Sequence, residues 1–232
     1  MTSKAALKGV GRDAIMPVVE FCLWLILSMS SRHTDFFFAN RRVHRSNCSV
    51  FAPDSRAGPI PRLLVGYFHY SYVESARRRK LQARLPPVGR HNEAGERLSR
   101  KKLSKVTPEE WSRDPYLVCL VLSLAQRQAR SLASPQQITY VFCLLVTTTK
   151  KPDHCHFIFL YETEITSQLL DSLDKPTFAT ERTAWPTIKF KRIPFMPSKD
   201  FQARLIAELL APNPLGHHEA LDVRDGTNFV KE

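Results

Sequence analysis

Three carboxylates are placed where they could do chemistry. Asp153 precedes an apolar run that ends in Glu162-Thr-Glu164. Carboxylates before and at the end of a strand can hold a divalent cation, and the cation can activate water against a phosphodiester. Metal-dependent nucleases of this pattern carry a lysine two residues after the strand glutamate. Here that position is Glu164, so Lys189 or Lys191 on the next strand would have to supply the amine. The plainer reading makes Asp153 a turn residue and Glu162 and Glu164 a polar strand end. His154 and His156 flank Cys155 and face one side of a strand, but no third ligand accompanies them. His217-His218 lies in a tail-like segment. No Ser/His/Asp grouping, glycine-rich phosphate loop or Walker sequence occurs, and the chain has only 8 glycines. No cofactor is expected.

A second kind of chemistry is electrostatic. Arg77-Arg78-Arg79-Lys80 and Arg100-Lys101-Lys102, with Lys105, belong to a stretch holding 11 basic residues against Glu93 and Glu96. Residues 1–113 contain 21 Lys and Arg against 9 Asp and Glu, whereas residues 114–232 contain 13 of each. The net charge of +12 therefore sits wholly in the first half. Such clusters suit nucleic acid, another anionic partner or nuclear import. Pro86, Pro87 and Gly89 interrupt the stretch, which reads by composition as a solvated linker. Phe36, Phe37 and Phe38, followed by Arg41, Arg42, His44 and Arg45, could stack on bases and pair with phosphates. Prolines and glycines from Pro53 to Pro61 favour a poorly ordered segment instead.

The elements that must position these residues are clearest after Asp114. Asp114 suits an N-cap and Pro115 the first helical position. Tyr116 to Ala125 is apolar nearly all round, so a buried helix is predicted. Ile138 to Thr148 and Cys155 to Thr163 read as an antiparallel hairpin of strands covered on both faces. Thr166 caps a short helix, Thr187 to Ile193 alternates as a half-exposed strand, and Ser198 opens an amphipathic helix that Pro212 ends.

The N-terminus is ambiguous. Basic residues precede an apolar stretch over 14–30, the order of a signal peptide or anchor, but Pro17 and Glu20 interrupt it. The unbroken run Phe21 to Leu27 is far short of the roughly 20 residues a membrane span requires. A short amphipathic or buried helix is the better reading, with the membrane an unfavoured partner. The five cysteines lack paired spacing and read as reduced structural thiols of an intracellular protein, nuclear if the import reading of Arg77–Lys80 holds.

The run Asp-Pro-Tyr-Leu-Val at 114–118 with Leu-Ala-Gln at 124–126, the hairpin with Tyr161, and Arg192-Ile-Pro194 before Phe201 and Arg204-Leu205 carry a resemblance. Over residues 98–211 the chain resembles a group of short, uncharacterised proteins from filamentous fungi. The resemblance implies a shared domain and no chemistry.

The expected fold is α+β: a small α-β-β-α-β-α domain with a short, mainly antiparallel sheet over residues 107–211. An apolar N-terminal helix (1–35), a largely irregular basic region and linker (36–106) and a flexible tail (212–232) surround it. The expected function is non-enzymatic binding of nucleic acid or another protein, with the basic arm making the anionic contacts. A divergent metal-dependent nuclease or phosphodiesterase is the alternative. A third reading makes part of the first half a badly joined reading frame.

Overall fold

The computed structural model describes residues 15–24, 27–53, 64–83, 92–131, 139–149, 156–178, 185–210 and 219–221. Six helices run in chain order: α1 Ile15–Trp24, α2 Ser71–Leu81, α3 Glu93–Val106, α4 Pro115–Ser131, α5 Ser167–Asp174 and α6 Phe201–Leu210. Nine strands accompany them: β1 Ser28–Ser31, β2 Thr34–Phe38, β3 Arg41–Ser46, β4 Ser49–Ala52, β5 Leu64–His69, β6 Thr139–Thr147, β7 Phe157–Thr166, β8 Ile188–Pro194 and β9 Glu219–Leu221.

The second half follows the expected order α4-β6-β7-α5-β8-α6. Thr166 caps α5 by accepting the Leu169 amide at 3.3 Å. The prediction that the hairpin strands are covered on both faces holds. Along β6 and β7, alternate residues enter two different cores. Phe142, Leu144, Val146, Phe159 and Tyr161 pack under α4 and α5, whereas Leu145, Ile158 and Leu160 pack under α1 and α6. The molecule therefore has a sheet between two helical layers, and the strands in its centre need apolar side chains at every position.

The expected α+β class with a mainly antiparallel sheet holds, and four finer expectations change. The sheet is not short: seven strands lie in the order β1-β4-β5-β6-β7-β8-β9, and three of them come from the first half. Leu64 to His69, part of a short apolar run (63–72) open by sequence to either a strand or a helical turn, is a central strand that pairs parallel with β6; every other pairing in this sheet is antiparallel. A parallel pair needs a long crossover, and α2, α3 and α4 provide it. The described residues of the supposed linker are thus mostly helical, while Pro86, Pro87 and Gly89 lie outside the described residues. Within the N-terminal apolar stretch Ile15–Trp24 is helix, but Ser28–Ser31 and Thr34–Phe38 are strands rather than helix. Residues 219–221 of the expected tail add a last edge strand to β8.

Gly66, in the middle of β5, explains how closely α4 approaches the sheet. A Cβ there would lie 2.7 Å from Leu124 Cδ1, 3.1 Å from Leu144 Cδ1 and 3.3 Å from Cys48 Sγ. Only hydrogen fits beneath the helix.

The segment 34–46 is also ordered. β2 and β3 form an antiparallel hairpin turned by Ala39 and Asn40, both with positive φ (50° and 58°), the geometry whose twist matches paired strands. Gln126 of α4 holds this hairpin by accepting from the Phe37 amide and donating to the Phe37 carbonyl, each at 2.9 Å. The Arg130 guanidinium lies 3.6 Å from the Phe37 ring centroid. Phe36 and Phe37 thereby serve packing, leaving Phe38 partly exposed.

Candidate functional site

Asp114 does more than cap a helix. Its side chain is 0% exposed and has four donors. The Tyr116 amide at 2.9 Å is the helix cap, the Tyr70 hydroxyl donates at 2.6 Å, and Arg77 donates through Nη1 at 2.5 Å and Nη2 at 2.9 Å. A two-pronged guanidinium contact fixes orientation as well as charge. Burial first, and then the Asp114 carboxylate, pushes the Tyr70 hydroxyl up, so it stays protonated and donates. This clasp ties the root of α2 to the start of α4. Trp111, just before it, is buried against Tyr70 at 5.1 Å and Phe159 at 4.6 Å between ring centroids.

From the clasp, α2 runs outward and α3 packs back along it, with Ser99 donating to the Leu81 carbonyl. Asn92 caps α3 by accepting the Gly95 amide at 2.9 Å. No residue of α3 is buried; Gly95, Ser99 and Leu103 are half-buried, and Leu98 and Val106 stay exposed. With so little apolar burial, α3 has to be stabilised by its cap, its own propensity and α2.

Of the eight cations the sequence singled out, seven are exposed: Arg78, Arg79, Lys80, Arg100, Lys101, Lys102 and Lys105. None makes an ion pair with a described acid. The eighth, Arg77, is a correction: it is spent on Asp114 and is not a free contact for a partner. Arg97 belongs to the same surface, although Glu93 faces it at 3.5 Å in an exposed pair of little worth. The structure brings the two basic clusters of the sequence, 20 residues apart in the chain, onto one pair of helices.

A second basic strip leads to the clasp. Arg41, Arg42, His44 and Arg45 of β3 are exposed, with Asp35 opposite Arg45 at 3.3 Å and Arg42 at 4.0 Å. His44 Nε2 lies 2.7 Å from the Tyr116 hydroxyl, one residue from Pro115 and two from Asp114. Burial pushes the Tyr116 hydroxyl up to about 12, so it remains a proton carrier for that bond.

The carboxylates of the metal alternative are only partly in view. Asp153, with His154 and Cys155, lies outside the described residues. Glu162 is opposite Lys189 in register, and its Oε1 lies 3.5 Å from Lys191 Nζ; Lys191 in turn lies 2.6 Å from Glu208 on α6. Glu162 Oε2 is buried without a hydrogen-bond partner. Glu164 is exposed two residues further along the same face. Among the described residues no three His, Cys, Asp or Glu side chains come together to hold a metal.

Cys22, Cys48 and Cys143 are buried and Cys119 is half-buried, all as free thiols. Burial pushes the Cys48 and Cys143 thiols up to about 12, which keeps them unreactive packing groups. Cys155 lies outside the described residues. Among them, no helix is long and apolar enough to cross a membrane.

Sequence reasoning missed the Tyr70–Asp114–Arg77 clasp. The signal available was an acid at a cap position, which hid its second use. No family model, curated protein or solved structure matches the chain.

Proposed function

We propose that this protein is a non-enzymatic binding protein that holds a polyanion, nucleic acid above all, on the exposed face of α2 and α3. The observation that carries this reading is the set of seven exposed cations on two helices anchored by the Asp114–Arg77 clasp. Helical presentation spaces the charges rigidly, so less order has to be imposed on binding than for a loose basic tail. Neutralising phosphates releases counterions, and affinity should then fall steeply with salt. Fluorescence anisotropy with labelled single- and double-stranded DNA and RNA, from low to physiological salt, tests it. Replacing all seven cations with Gln should abolish most binding at unchanged thermal stability. Equal binding by that variant would remove the proposal.

A second reading is supported by the Glu162–Lys191 contact, which matches the acid and amine of a metal-dependent phosphodiesterase. Magnesium-dependent cleavage of nucleic acid that disappears in Glu162→Ala would favour it over binding alone.

A further inference from the structure

A cleft of about 300 Å³ opens beside α1, on the face of the sheet opposite α4. Its strand residues come from β1, β4 and β5, at the carboxyl end of β5. Its floor comes from three elements. Glu20 projects from α1, Ser49 from β4, and Tyr67 and His69 from β5. Arg32 and Tyr72 are exposed at the rim.

The floor is a built polar surface. Ser49 Oγ donates to Glu20 Oε1 at 3.2 Å, and Ser49 sits opposite Tyr67 in the strand register. Behind them, Thr147 Oγ1 of β6 is 3.0 Å from the Tyr67 hydroxyl and 2.9 Å from His69 Nδ1. One hydroxyl thus fixes two side chains that line the cleft. Burial pushes the Tyr67 hydroxyl up and lowers the His69 imidazole, the latter against an opposing pull from the Thr147 backbone. Both groups are neutral near pH 7. The charges offered to a ligand are therefore the Glu20 carboxylate within and the Arg32 guanidinium at the mouth, with His33 beside it.

That polarity selects a class of ligand. A phosphate or a simple carboxylate entering deeply would meet Glu20 with like charge. A simple amine would leave Arg32 without a counterpart. A small zwitterion satisfies both ends. We propose that the cleft binds a free α-amino acid, its ammonium group on Glu20 and its carboxylate on Arg32. The cleft is at the lower end of ligand-site volumes, which suits a molecule of that size. It also gives a reason for Glu20, the acid that interrupts the apolar N-terminal helix.

The test is calorimetric titration of the full chain with each of the common amino acids singly, at concentrations on the order of 10 mM so that a Kd of about 1 mM is detected. At least one should bind. Its N-acetyl and its carboxamide derivatives should each bind about ten-fold or more weakly, because each removes one charge. Glu20→Gln keeps the Ser49 contact and Arg32→Gln alters an exposed residue, and each should weaken binding by a similar factor. No binding by any amino acid overturns the proposal. So does a binder whose affinity survives both variants, or one matched by its N-acetyl derivative. If Glu20→Gln failed to fold, the derivatives on the unaltered chain and Arg32→Gln would still decide.

Discussion

Helices α4 and α3 lie next to each other in the chain and are held in opposite ways. Of the 17 residues of α4, nine are buried between the central strands and the β2–β3 hairpin. Of the 14 residues of α3, none is buried. The first helix exists because the core needs it, at roughly 1.5–3 kcal/mol for each large apolar side chain covered. The second has no such source of stability, and its outward residues are free to be chosen for charge. Stability and the proposed anion contact are therefore separated along one continuous stretch of chain, and the Asp114 clasp is where they join.

Breaking the clasp should have the largest effect. Asp114→Ala removes the α4 cap and leaves Arg77 and the Tyr70 hydroxyl without their acceptor. Removing one partner of a buried ion pair costs about 3–5 kcal/mol, which urea denaturation would show as a lower midpoint. Polyanion binding should fall with it, because α2 loses its anchor. An unfolding midpoint within error of the parent would mean that the clasp is not what joins the two regions.

The core side of the comparison is tested at Gly66. Gly66→Val places a side chain into Leu124 and Leu144, and overpacking of this kind costs about 1–3 kcal/mol. The loss should be toward the upper part of that range, since α4 cannot lift without uncovering the strands below. A somewhat smaller loss is expected for Gln126→Leu, which strands the Phe37 amide and carbonyl at about 1–3 kcal/mol before relaxation. Protection of the β2–β3 amides from hydrogen exchange should drop before that of β6 and β7.

What could be read in the sequence follows the same division. The α4 cap, the β6–β7 hairpin and the Thr166 cap were legible because each is local, set by residues close to one another in the chain. β5 was not. Its apolar run is short and is followed at once by Arg77–Lys80, and its role depends on pairing with residues 78 positions away, as His69 does with Thr147. Gln126 was visible only as a polar residue ending an apolar helix, because its partner Phe37 lies 89 residues earlier. Composition misread α2 and α3 as a linker because it counts charges and cannot see that Ser99 of α3 bonds the Leu81 carbonyl at the end of α2, or that Val73 enters the core. Of the exposed cations on α2 and α3, the residues could be read in the sequence and their placement on two helices could not.

The smallest effect on stability should accompany a clear effect on binding. Lys101 and Lys102 are exposed and have no described acid partner. Replacing both with Gln preserves helix propensity and touches no packed side chain, so the unfolding midpoint should correspond to a change within about 0.5 kcal/mol. Each cation that pairs with a phosphate contributes roughly one unit to the slope of log affinity against log salt, so the double variant should lower that slope by at most about two. A stable protein with a shallower salt dependence would separate binding from folding on α3, as its lack of buried residues requires. An unchanged slope would move the anionic contact elsewhere, and the exposed cations of β3, linked to the clasp through His44 and Tyr116, would be the next to replace.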